Sequence, residues 1–190
     1  MNMAVSRRNF LSFGAASALL AACDTALVGN GVDSNGAAQI DARVDATRDY
    51  LFSNYPGTQD LAADAKGVLF MPLITEIGFG VGGSYGRGAL RINDVTVDYY
   101  SATRATFGIQ IGAQQYAHAI FFMTEDALAN FRRGSGWAAG ADVRYATPEM
   151  GASIGKDTFE LDPVVALVFG QQGLIAGATL SGVKYSRIIP

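Results

Sequence analysis

The stretch that most limits how this chain folds is Gly78-Phe79-Gly80-Val81-Gly82-Gly83-Ser84-Tyr85-Gly86-Arg87-Gly88, set between runs of valine, isoleucine and aromatic residues that read as strands. Glycine inside a strand costs backbone entropy and leaves no side chain to pack, so a cluster of glycines marks bends, bulges or close backbone approach. It names no ligand. Gly78, Gly80 and Gly83 do satisfy G-x-G-x-x-G, and Asp98 lies 20 residues beyond Gly78. A dinucleotide site, however, needs a helix opening on the third glycine to receive the pyrophosphate. Here Tyr85-Gly86-Arg87-Gly88 follows instead, and neither a Gly-Lys-Ser/Thr phosphate loop nor the companion motifs of a kinase accompany it.

The amino end reads as an export and anchoring signal over residues 1–22. Ser6-Arg7-Arg8-Asn9-Phe10-Leu11 is a twin-arginine pattern, and the apolar stretch of residues 11–22 is too short to span a bilayer. The alternative is an ordinary signal with two incidental arginines. Leu20-Ala21-Ala22-Cys23 has the small residues before a cysteine that lipoprotein processing uses, and Cys23 is the only cysteine of the chain. A buried structural cysteine is the competing reading. Diacylglycerol on the sulfur and an acyl group on the new terminus would make the anchor stable. The expected location is the periplasmic side of a bacterial envelope. Asp24 favours inner-membrane retention in enteric bacteria, but which membrane carries the anchor stays open.

The chain carries a formal charge of -3, and loss of Arg7 and Arg8 with the signal would leave -5. An acidic domain argues against a nucleic-acid partner. With Cys23 acylated, no disulfide is expected even in an oxidising compartment. Residues 23–38 contain Gly29, Asn30, Gly31, Asn35 and Gly36 and read as a flexible tether. Residues 39–190 suit one domain.

Ile40, Val44, Thr47 and Leu51 at helical spacing predict a first helix, stopped by Asn54-Tyr55-Pro56-Gly57. Thr58 is expected to cap a second, shorter helix that Gly67 ends. Strands are predicted at residues 68–71, interrupted by Pro72 and resumed at 73–75, then at 89–97, 106–111 and 116–123. Thr124 begins a third helix, with Glu125 and Asp126 in its first turn and Arg132-Arg133-Gly134 at its end. Further strands are predicted at residues 141–146, 164–169, 174–180 and 183–189, the last two as an antiparallel pair around Ser181-Gly182. Helices near the amino end with closely spaced strands predict an α+β fold: short helices with a mostly antiparallel, glycine-rich sheet, strongly curved or barrel-like.

Catalytic constellations are poorly supplied. His118 is the only histidine and reads as a core histidine with a satisfied ring nitrogen; no G-x-S-x-G accompanies it for a serine triad. A zinc site lacks histidine and thiolate ligands. Asp157, Glu160 and Asp162 lack EF-hand spacing and read as a solvated acidic loop, with a weak calcium site left open. Paired carboxylates for glycoside hydrolysis are not excluded by spacing. Trp137 reads as a core residue whose ring N–H needs one partner. Arg87 and Arg91 beside the glycine run read either as solvated cations or as contacts for phosphate headgroups.

Several blocks together resemble the SYLF domain. They are Asp60-Leu61, Ala65-Lys66-Gly67-Val68-Leu69-Phe70, the glycine run itself, Phe107-Gly108-Ile109-Gln110-Ile111-Gly112-Ala113-Gln114, Phe122-Met123-Thr124-Glu125-Asp126-Ala127-Leu128, Ser135-Gly136-Trp137, and Val168-Phe169-Gly170-Gln171-Gln172-Gly173-Leu174-Ile175-Ala176-Gly177. They keep order and spacing from about residue 40 to residue 189. The resemblance is to a group found in yeast and animal actin-patch proteins, plant proteins and bacterial lipoproteins. It implies a non-enzymatic domain that binds phospholipid or a membrane surface, without a cofactor or metal. Lys66, Arg87, Arg91 and Trp137 are the residues expected to meet lipid. Protein partners in the envelope are the alternative, and an enzyme of unassigned class the remote one. Eukaryotic relatives use a basic amino-terminal segment, whereas here Asp41, Asp45 and Asp49 alternate with Arg43 and Arg48. Actin binding is not expected in a periplasm.

Overall fold

The structure is a computed structural model that describes residues 35–134, 136–138, 143–146, 162–170, 173–174 and 180–190. The predicted signal with Arg7 and Arg8, the predicted lipidation site Cys23, the predicted tether as far as Ser34, and Asp157 and Glu160 lie outside the described residues.

Helix α1 (Gly36–Asn54) buries Ile40, Val44 and Leu51, the face its spacing predicts. It begins at Gly36, inside the stretch read as tether, because Asn35 supplies the first carbonyl, accepting from the Gln39 N–H at 3.0 Å. The helix stops where expected: the Tyr55 N–H donates to the Leu51 carbonyl at 2.8 Å and Pro56 follows. Helix α2 (Gly57–Asp64) is not capped by Thr58. Thr58 sits within its first turn, fully buried, and its hydroxyl donates to the Tyr55 carbonyl at 2.7 Å.

The next two elements differ most from the sequence expectation. Strand β1 (Gly67–Ile92) runs unbroken through Pro72 and the whole glycine run, and β2 (Val95–Phe122) pairs antiparallel with it along its length. Pro72 interrupts nothing because it lies in a bulge between Met71 and Ile74, where the missing N–H breaks no rung. The strand predicted at residues 89–97 is instead the end of this hairpin. Asn93 and Asp94 turn it with φ of 50° and 62°, and both positive angles fit a type I′ turn whose twist suits the flanking strands. Short polar residues tolerate that region, so Asn-Asp serves where Asn-Gly is the familiar signal.

Helix α3 (Glu125–Arg133) follows the prediction closely. The Thr124 hydroxyl accepts from the Ala127 N–H at 3.2 Å, acids fill the first turn and arginines the last. Thr124→Ala is expected to cost about 1 kcal/mol, read as a lower urea midpoint. Short strands β3 (Trp137–Ala138), β4 (Val143–Ala146), β5 (Val164–Gly170), β6 (Gly173–Leu174) and β7 (Lys184–Ile188) complete the described sheet. The order is β3-β7-β2-β5-β4, with β1 on β2 and β6 on β5. Only β4 with β5 is parallel among the described pairs. Residues 175–179, the body of the first strand of the pair predicted around Ser181-Gly182, lie outside the described residues. Among the described residues β6 pairs with β5, while β7 pairs with β2 and β3.

The fold is therefore α+β and mostly antiparallel sheet, curled into a half-barrel. The concave face holds Leu69, Met71, Leu90, Ile120 and Phe122 against Leu128 and Phe131 of α3. On the convex face Val68, Phe70, Ala89, Ala119 and Phe121 pack beneath Ile40, Val44 and Leu51 of α1 and Leu61 of α2. Strand β5 lies between both layers, so Val164 to Phe169 are all buried and its sequence is apolar without alternation.

Candidate functional site

Helices α1 and α2 cover only part of the convex face. Side chains alternate between faces along a strand. Counted from the Met71/Ile74 bulge, the odd-numbered residues 73–87 of β1 share the face of Phe70 and Ala89. Among them Leu73, Ile77, Val81 and Tyr85 stand 40%, 62%, 67% and 54% exposed. Single exposed apolar residues are ordinary, but four in line along one strand face form a patch. The opposing β2 residues on this face include Gln115, Ala113, Ala105 and Thr103. Among the described residues no carboxylate occurs on it: between residues 73 and 87 and between 101 and 115 the sole acid is Glu76, which faces the concave side, buried, and accepts from the Gln114 amide at 3.4 Å.

Cations mark one end of this patch. Arg87 is exposed in the row Arg87–Ser101–Ser186, and exposed Lys184 lies in the adjacent row Tyr85–Thr103–Lys184, its stem passing over Gly136. An apolar stripe with two cations and no acid, on a chain of net negative charge, is complementary to an anionic, partly apolar surface.

The four residues expected from sequence to meet lipid fall in different places. Arg87 lies at the end of the stripe. Lys66 is exposed at the start of β1, with its N–H donating to the Phe122 carbonyl. Arg91, read as a surface headgroup contact, is instead buried: its Nη1 lies 2.7 Å from Asp45 and 3.2 Å from Asp94, with Asp41 at 4.0 Å from Nη2. Those carboxylates come from α1 and the hairpin turn, so the Asp41 and Asp45 that look like solvated helix charges fasten α1 to the sheet. Thr96 and Tyr99 add hydroxyl donors to Asp41 at 2.7 and 2.8 Å. Burial, then the Asp41 carboxylate, push the Tyr99 phenol up to about 12. Trp137 is part-buried on the concave side, edge-on to Phe131 at 5.4 Å and to Phe122 at 6.1 Å. Lys184 and the stripe itself were missed. The signal was present in Ile77-Gly78-Phe79-Gly80-Val81-Gly82, a strict alternation of large residue and glycine, which is the two-residue period of one strand with one bulky face.

His118 is the core histidine its surroundings suggest. It is fully buried, Nε2 lies 2.8 Å from the Tyr185 hydroxyl, and burial pushes its ring down to about 3. The glycine run has strand on both sides and no helix, so the geometry of a dinucleotide fingerprint is not formed. Among the described residues no helix is long and apolar enough to cross a membrane.

These features define a mixed α+β domain, mostly sheet, whose exposed chemistry suits surface binding. The family model Ysc84, described as Las17-binding protein actin regulator, matches residues 103–187, from the middle of β2 through β7. Over that span, less than half of its length, the chain is similar to the SYLF (Ysc84) family, a family of binding domains. The helices α1 and α2 and the glycine run precede the matched span. Comparison with curated proteins gave no match.

Proposed function

We propose that this protein binds phospholipid surfaces from the periplasmic side of a bacterial envelope, exported through Arg7 and Arg8 and held by acylated Cys23. The observation that carries the reading is the uncovered convex face. Leu73, Ile77, Val81 and Tyr85 would settle among the acyl-chain boundary and headgroups, where full burial of one such side chain is worth roughly 1.5–3 kcal/mol. Arg87 and Lys184 would meet phosphate, with Lys66 as a further cation, each contributing about 1 kcal/mol near an anionic surface. In this reading Arg91 and Trp137 serve the fold. The domain-family match supports a binding role without chemistry.

The test is flotation of the protein with anionic and zwitterionic liposomes. Ile77→Ser plus Val81→Ser changes only exposed positions and is expected to weaken binding at least tenfold while leaving the urea midpoint within about 0.5 kcal/mol. Arg87→Ala plus Lys184→Ala is expected to remove the preference for anionic vesicles. Binding unaltered by the first pair refutes the face. A second reading, docking of an envelope protein, draws on the same face and on β1, which pairs only with β2 among the described strands. Loss of a co-purifying protein with no liposome binding by wild type would select it.

A further inference from the structure

Strand β1 is bonded to β2 along one edge, and among the described residues its other edge carries no strand. A bare edge is a template for another chain, and proteins blunt it with proline, charge or bulges. On β1 the blunting sits at the ends. Pro72 closes one end of residues 73–85, Arg87 stands just beyond the other, and Glu76 is the single charged residue between them. Glu76 is buried on the concave face, so the exposed row along this edge carries no charge.

The order of residues along the stretch decides what fits it. Two copies of β1 related by a two-fold axis perpendicular to the sheet pair antiparallel, and residues directly opposite share a face. With the axis at position 79, Val81 stands opposite Ile77 of the second copy, and Tyr85 opposite Leu73 of the second copy. Of the two-fold registers open to this strand, this one alone pairs all four exposed residues of the convex row with one another. β-Branched meets β-branched and aromatic meets aliphatic, which are favourable cross-strand pairs. On the concave face the same register sets Glu76 opposite Gly82 and Ile74 opposite Ser84, so no like charges face each other. Pro72 falls opposite Gly86, which ends the paired stretch at the same place on both copies. The register shift between Phe79 and Gly80 lies at this centre too. A bulge bends and twists its strand, so the bends of the two copies coincide at the axis, a match that an unrelated straight peptide does not supply.

We infer that the free edge of β1 from Leu73 to Tyr85 is a self-association site, where two copies of this chain pair antiparallel about position 79 and continue one sheet through both. The axis keeps both convex faces on the same side, so the two apolar stripes lie next to each other and their outer surface stays open. The pairing uses the strand edge and needs no membrane, so it stands or falls independently of the surface reading.

The test uses the full chain carrying Cys23→Ser, so that introduced thiols are the only ones present. Sedimentation over a concentration series is expected to show a reversible dimer. Ile77→Cys and Val81→Cys are then placed on separate chains. Co-expressed and oxidised, the two chains are expected to join through a disulfide, whereas either alone holds its thiols four positions apart along the seam and stays unlinked. Ile77→Lys plus Val81→Lys sets lysine opposite lysine and is expected to weaken self-association at least about tenfold. Co-expression with a chain carrying Ile77→Glu plus Val81→Glu is expected to restore the dimer, a rescue that a misfolded variant would not show. Wild type that is monomeric at every concentration, or a dimer that the double-lysine chain retains, overturns the site. Ile77→Cys linking to itself as readily as to Val81→Cys overturns the register. A wild-type monomer that holds a foreign extended peptide overturns the second copy as occupant. A monomer that floats with liposomes overturns this inference and leaves the surface reading standing, and a dimer that does not float does the reverse.

Discussion

Gly88→Ala is expected to cost more than about 3 kcal/mol, a large share of the 5–15 kcal/mol that is the common range of total stability. A Cβ at Gly88 would run into the Phe70 carbonyl and the Met71 thioether and come within 3.0 Å of the Met71 Cα. At Gly86 it would meet the Leu73 carbonyl and the Ile74 side chain. These are contacts of β1 with its own beginning, made where the sheet curls so far that residues 86–88 lie against residues 70–74. Backbone carbonyls within a paired strand have no rotamer to change, so relief means opening the curl and disturbing the concave core around Leu69, Met71 and Leu90. Gly182 is the control. It adopts φ of 77° at a turn with nothing within 4 Å, so alanine there meets only backbone strain of about 1–2 kcal/mol. Urea unfolding of the two variants should therefore give clearly different midpoints, with Gly88→Ala the lower or not soluble at all. A Gly88→Ala midpoint equal to wild type would show that the curl is not held by this contact.

The same glycines explain what the sequence conceals. Glycine, proline and a positive-φ pair are all read as punctuation, and here two of the three punctuate nothing. Pro72 and the glycine run lie inside one 26-residue strand, because bulges absorb the proline and close self-approach requires the glycines. The true reversal is Asn93-Asp94, hidden within an apolar run that reads as continuous strand. The helices were more legible: burial of Ile40, Val44 and Leu51 follows directly from period, and the Thr124 cap with its flanking charges is a local code needing no tertiary information. For the site, Arg87 was recoverable from its chemistry alone, but Arg91 was not distinguishable from it. Four residues apart on one strand, they lie on the same face; one is exposed, and α1 covers the other and surrounds it with aspartates. Which stretch of a sheet face a helix covers is tertiary information, and Leu73, Ile77, Val81 and Tyr85 stand exposed beyond the stretch that the described helices cover.

Acid should destabilise this protein well before its carboxylates titrate, through His118. The ring lies on the concave face, in register with Met71 on β1 and Val168 on β5, and burial alone holds its pKa near 3 against an ordinary 6.5. The neutral ring has one nitrogen on the Tyr185 hydroxyl at 2.8 Å, while Nδ1 has no partner. A second proton would therefore place a full charge in an apolar layer. Since the folded value is depressed, the unfolded chain binds a proton that the native state refuses between pH 6.5 and about 3. Stability is accordingly full above pH 6.5 and falls as pH drops, by about 1.4 kcal/mol per unit for one proton. Asp94 acts in a lower window. Burial opposes its ionisation, but Arg48 and Arg91 prevail and hold it below 3.8, so its contribution is lost only as pH falls beneath that value. Urea unfolding at half-unit steps from pH 7 to 4.5 isolates the histidine. Wild type should lose about 2–3 kcal/mol across that range beyond any loss shown by His118→Gln, whose amide can still meet Tyr185 and does not titrate. The variant should start less stable at pH 7 and converge on wild type as pH falls. Parallel curves for the two proteins would mean that His118 is protonated in the folded state at these pH values and that the concave core admits the charge.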